Sequence, residues 1–100
     1  MKKRMITGSV PYIVVTKDDG ENFTYLVSWE SRETEWLVNN FKNWGTRALE
    51  ENLEIYEFIG DDASKVASVV RTILQYRNSI ESIKKQYMEN VKQKSMSFHR

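Results

Sequence analysis

Hydrophobic and polar positions alternate most regularly between Val10 and Trp29. Pro11-Tyr12-Ile13-Val14-Val15-Thr16 is rich in β-branched and aromatic residues, and Phe23-Thr24-Tyr25-Leu26-Val27-Ser28-Trp29 alternates with period two. Both patterns predict strands. Asp18-Asp19-Gly20 lies between them, and an Asp-Gly pair supplies the positive φ angles of a tight hairpin turn. With Asp19 and Gly20 as that turn, residues 10–17 pair antiparallel with 22–29, Val14 faces Tyr25, and Tyr12 faces Val27. One face then carries Tyr12, Val14, Phe23, Tyr25, Val27 and Trp29, and the other Ile13, Val15, Thr24 and Leu26. Two apolar faces predict a hairpin central in its sheet. Met5-Ile6-Thr7 adds a short strand ending at Gly8.

The period then changes to that of a helix. Leu37, Phe41 and Trp44 share one face of a segment 31–44, with Trp36 and Asn40 beside it. Ser31 is its candidate N-cap, Glu33 and Glu35 suit the positive end of the helix dipole, and Gly45 is the candidate left-handed C-cap. Residues 46–59 satisfy two patterns. Leu49, Leu53 and Tyr56 make a helical stripe, whereas Leu53, Ile55, Tyr56, Phe58 and Ile59 make a short buried strand. The aromatic and β-branched content favours a strand over 53–59. Asp61 or Asp62 then caps a long final helix. Its apolar positions Val66, Val69, Ile73, Tyr76, Ile80, Ile83 and Tyr87 are spaced alternately by three and four, a heptad seam. Asn78-Ser79-Ile80-Glu81 has the form of an internal capping box that would split this helix. The expected fold is therefore α+β: a small antiparallel sheet built on a β-hairpin, one short helix and a long C-terminal helix. It forms a single domain over residues 1–94, with 95–100 as a flexible tail.

A helix reaching about Lys94 would be roughly 48 Å long, far beyond the ~13 Å radius of gyration of a compact chain of this length. Its seam must outrun the sheet. The first half is expected on the chain's own core and the second half, Tyr76, Ile80, Ile83 and Tyr87, against a second copy in a homodimer.

Composition narrows the chemistry. The 100 residues contain no cysteine and one proline, which removes disulfides and thiolate chemistry and suits a reducing cytosol. Met1-Lys2-Lys3-Arg4 begins like a signal peptide, but Thr7, Gly8 and Ser9 interrupt the apolar run that should follow. A cytoplasmic protein without a membrane span is expected. The only histidine is His99, and the four glycines are too far apart for a phosphate-binding loop. The carboxylate pairs Glu50-Glu51, Glu54-Glu57 and Asp61-Asp62 fall on expected surfaces or helix starts. No catalytic site, cofactor or metal is expected.

Charge is distributed in blocks. Residues 18–62 hold twelve acids and three bases, a balance of −9, and residues 63–100 hold eight bases and two acids, a balance of +6. Arg71, Lys85 and Lys92 recur on the helix side opposite the seam, with Lys84 adjacent, the outline of a nucleic-acid footprint. Trp29, Trp36 and Trp44 fall within sixteen positions; two are expected buried and one partly exposed, near Glu33 and away from the basic stripe. Tryptophan marks interface hot spots. Tyr25-Leu26-Val27-Ser28-Trp29 resembles the strand of chromodomains and Glu50-Glu51-Asn52-Leu53 the segment before their terminal helix. The spacer is too long and the Trp-Glu-Pro step is missing, so no methyl-lysine cage is assigned.

These features point first to a small non-enzymatic adaptor or inhibitor that binds another protein through Trp29, Trp36, Trp44 and Glu33. The Lys/Asn/Glu-rich usage suits a phage or mobile-element protein acting on host machinery. Two alternatives stand beside it. One is a nucleic-acid-binding accessory protein using Arg71, Lys84, Lys85 and Lys92. The other is a nucleotide-like ligand binder at a subunit interface, with aromatics on a base and Arg47 or Arg71 on phosphate.

Overall fold

The computed structural model describes the backbone of residues 1–6 and 11–97 and the side chains of residues 1–4 and 11–90. Thr7, Gly8, Val10 and His99, and the side chain of Lys92, lie outside the described residues. Strands β1 (Lys2–Ile6), β2 (Tyr12–Thr16) and β3 (Asn22–Leu26) form an antiparallel sheet in the order β1-β2-β3. A 3₁₀ turn (Val27–Ser31) leads to helix α1 (Thr34–Phe41), then α2 (Thr46–Ile59), a second 3₁₀ turn (Asp61–Ala63) and α3 (Ser64–Ser97). The fold is α+β, as the hydrophobic pattern predicts.

The hairpin forms with a register one residue away from the expected one. Ile13 faces Tyr25 and Val14 faces Thr24. The turn is longer than two residues: Gly20 N–H donates to the Lys17 carbonyl at 2.9 Å, and Lys17 N–H donates to the Glu21 carbonyl at 2.7 Å. Gly20 has φ +88°, so the loop is a type I turn closed by a left-handed glycine bulge. Asp19 Oδ1 accepts from Glu21 N–H at 2.9 Å. Because side chains alternate with period two, a one-residue slip exchanges the face of one strand relative to the other. Ile13, Val15 and Tyr25 therefore share the core face, with Phe23 partly buried beside them. Tyr12 pairs with Leu26 on the opposite face, and Leu26 is exposed. The hairpin is not central: β2 is the middle strand and β3 an edge, ending at Leu26 rather than Trp29.

Residues 53–59 are helical, which corrects the strand expected there. Leu49, Ile55, Tyr56 and Ile59 are buried while Glu50, Glu51, Glu54 and Glu57 are exposed, a helical division that a strand could not produce from these positions. Gly45 has extended backbone (φ −63°, ψ 149°) and is the N-cap of α2, not a left-handed C-cap of α1. Gly60, at φ +87°, ends α2. Ser31 is likewise not a cap; it lies in the 3₁₀ turn, and Glu33 precedes the first turn of α1.

The sheet packs one face against the helices. Leu37 and Phe41 of α1, the buried side of α2, and Ala63, Val66, Ala67 and Val70 complete one core with Ile13, Val15 and Tyr25. Lys3 Nζ donates to the Ile59 carbonyl at 2.8 Å, tying β1 to the end of α2. Arg77 donates to the Lys42 carbonyl at 2.9 Å and to Thr46 Oγ1 at 3.0 Å, fastening the α1–α2 junction to α3.

Helix α3 is continuous through Asn78, so the box Asn78-Ser79-Ile80-Glu81 does not split it. A capping side chain acts only where a helix has unpaired N–H groups; inside an unbroken helix those groups are already bonded. The helix projects well past the core. The molecule measures 73 × 32 × 19 Å with a radius of gyration of 19.4 Å, against ~13 Å for a compact domain of this length. The seam divides as its length requires: Val66 and Val69 are buried, and Tyr76, Ile83 and Tyr87 are exposed.

Candidate functional site: an aromatic cluster and a projecting helix

Two features of the surface stand out. The first is aromatic. Phe41 is buried in the core end of α1, and two tryptophans pack edge-on against it, Trp44 with ring centroids at 4.8 Å and Trp29 at 5.6 Å. Trp29 also meets Trp36 at 5.9 Å and Tyr25 at 6.3 Å. Trp36 stands on α1, Trp44 on the turn that follows it, where its N–H donates to the Phe41 carbonyl at 3.0 Å, and the 3₁₀ turn delivers Trp29 between them. The three tryptophans singled out in the sequence thus converge. Trp29 and Trp44 are half-buried, and Trp36 keeps 36% of its surface open, a more exposed set than the expected two buried and one partly exposed. The Arg32 guanidinium lies 4.5 Å from the Trp36 ring centroid, a cation–π stack on the outer face of the cluster. Glu33 and Glu35 are exposed nearby in the chain.

A groove of about 260 Å³ opens beside this cluster, lined by Phe23, Leu26, Trp29, Trp44, Asn52 and Tyr56 among others. Its polar content is low. The Tyr25 hydroxyl does not serve it: that group donates to the Asp62 carbonyl at 3.0 Å. Burial pushes the phenols of Tyr25 and Tyr56 well above the ordinary tyrosine value, so neither supplies a proton near neutrality.

The basic positions do not form one site. Arg71 pairs with Glu57 of α2 at 3.3 Å, and Arg47 pairs with Glu51 at 3.4 Å. Neither arginine lines the aromatic groove. Lys84 and Lys85 are exposed on the projecting part of α3. Among the described residues, no group of His, Cys, Asp and Glu side chains is arranged to hold a metal ion, and no helix is long and apolar enough to cross a membrane.

Sequence reasoning missed Glu30. Its carboxylate accepts from Ser64 Oγ at 2.9 Å, Lys65 N–H at 2.6 Å and Val66 N–H at 3.2 Å. A glutamate thirty-four residues upstream of Ser64 therefore caps α3, the task the sequence assigned to Asp61 or Asp62. Lys65 Nζ donates back to the Arg32 carbonyl. The aromatic cluster is thereby anchored to the start of the long helix.

The second feature is the exposed seam on α3, which continues into a groove of about 270 Å³ between α1 and α3 lined by Val38, Val69 and Ile73 among others. Comparison of the chain with protein-family models, with curated proteins and with solved structures returned no match.

Proposed function

We propose that this is a small protein-binding module, an adaptor or inhibitor that engages another protein through the aromatic face around Trp36. The observation that carries the reading is the run of ring contacts from Trp36 to Trp29, Phe41 and Trp44, with Trp36 open and stacked beneath Arg32. Tryptophan and arginine are the residues most enriched in binding hot spots. Here they sit on a rigid core, so little conformational entropy is lost on binding. The adjoining groove at Leu26, Trp29 and Trp44 accepts an apolar anchor from the partner, and exposed Glu33 and Glu35 favour a basic rim around it.

The test is affinity capture from host extract with three forms of the chain. Trp36→Ala should lose the captured partner while retaining the wild-type melting temperature to within a few degrees. The triple reversal Arg71→Glu, Lys84→Glu and Lys85→Glu should retain it. The opposite pattern, with steeply salt-dependent retention on heparin, would replace the protein partner by a nucleic acid.

A further inference from the structure

We propose that α3 pairs with α3 of a second copy, antiparallel, through the stripe Tyr76, Ile80, Ile83 and Tyr87, about a two-fold axis between Glu81 and Ser82. The stripe is a palindrome in residue type and in spacing: Tyr, three residues, Ile, two residues, Ile, three residues, Tyr. A two-fold interface requires a surface complementary to itself, and a palindromic helical stripe meets that condition when the second helix runs the other way. Tyr76 then lies opposite Tyr87 of the second copy, and Ile80 opposite its Ile83.

Among the described residues little of this surface is covered by the chain itself, Ile80 alone of the four being half-buried. Tyr76 is 67%, Ile83 61%, Tyr87 66% and the flanking Met88 55% exposed. Covering such residues on both copies removes roughly 1,000 Å² from water, the lower bound for a specific interface. The α1–α3 groove at Val38, Val69 and Ile73 continues the same seam toward the core. In the antiparallel arrangement the second helix, past its Tyr87, runs over this groove and extends the contact.

Charge and bulk favour one direction. Residues 1–77, which build the core, carry twelve acids and ten bases, a balance of −2, whereas residues 78–97 carry Lys84, Lys85, Lys92 and Lys94 against Glu81 and Glu89. A parallel pair would crowd two cores of like charge side by side. The antiparallel pair sets them at opposite ends and runs each basic helix end past the weakly acidic core of the other copy. About this axis Ser79 of one copy flanks Gln86 of the other, both uncharged, whereas Lys84 flanks Arg77 of the second copy. Arg77 is held by the Lys42 carbonyl and Thr46 of its own chain.

The experiment uses the full chain, which has no cysteine of its own. Light scattering should report twice the chain mass, and Ile80→Glu with Ile83→Glu should halve it while circular dichroism stays that of a folded protein. Ser79→Cys and Gln86→Cys are exposed positions that flank the stripe on one side without removing it. Mixed, with one variant tagged, and treated with a short bismaleimide, they should give the heterotypic cross-link several-fold in excess of either homotypic one. The two sites lie roughly 10 Å apart along one helix, so the product reports direction. A wild-type monomer, a dimer that survives the double glutamate substitution, or homotypic products equal to the heterotypic one would each overturn the proposal. None of these bears on the Trp36 face, whose test is separate.

Discussion

Glu30 and Tyr25 show how much single side chains hold in a domain this small. Glu30 satisfies two backbone donors of α3 from outside the helix, and orphan N–H groups at a helix start are what capping relieves. Glu30→Ala should therefore cost ~1–2 kcal/mol, read as a melting temperature lower by roughly 4–15 °C, with Asp61→Ala and Asp62→Ala each far milder. Tyr25 and Tyr56 titrate well above the ordinary value of 10.0 because burial disfavours the phenolate. Above about pH 10 the unfolded chain releases these protons and the folded one keeps them, so stability is complete below that pH and falls as pH rises through it. Thermal melts across this range should show the loss. Tyr25→Phe, which cannot ionise, should flatten the alkaline decline. The aromatic character of this site was legible in the sequence because Trp29, Trp36 and Trp44 are rare residues set close together. The Glu30 cap was not, because its partners lie far along the chain.

Among the elements, the sheet and α2 show where local patterns succeed and where they run out. Period-two alternation within each strand holds: Ile13 and Val15 point one way, Tyr12 and Val14 the other. The relation between strands depended on one turn residue more than expected, supplied by the Gly20 bulge. The core face is thus Ile13, Val15 and Tyr25, and Val15 is fully buried. Val15→Asp should unfold the domain, since an unpaired buried charge costs several kcal/mol of a total stability of only ~5–15. Thr24→Asp, on an exposed position of the opposite face, should melt close to wild type. A reversal of the two would restore the other register. For α2, propensity alone favoured a strand, and packing decided otherwise. The helix turns Leu49, Ile55, Tyr56 and Ile59 to the core and four glutamates to water, whereas a strand would leave part of each set on the wrong side.

At the scale of the whole molecule, the sequence by itself determined the inventory: a β-hairpin and a short strand before it near the N-terminus, a tryptophan-rich helical stretch, and a heptad seam too long for any core that 100 residues can build. It also determined that the seam must divide, because helix length is fixed at ~1.5 Å per residue while core radius grows slowly with chain length. Those conclusions rest on periodicity and geometry, which act within a few residues. Only the tertiary structure decided which strand positions share a face, that 46–59 is one helix, that Gly45 begins rather than ends a helix, and that Glu30 caps α3. Each of these depends on groups distant in sequence competing for the same buried volume or the same unpaired backbone donors, and that competition is resolved only when the chain is packed.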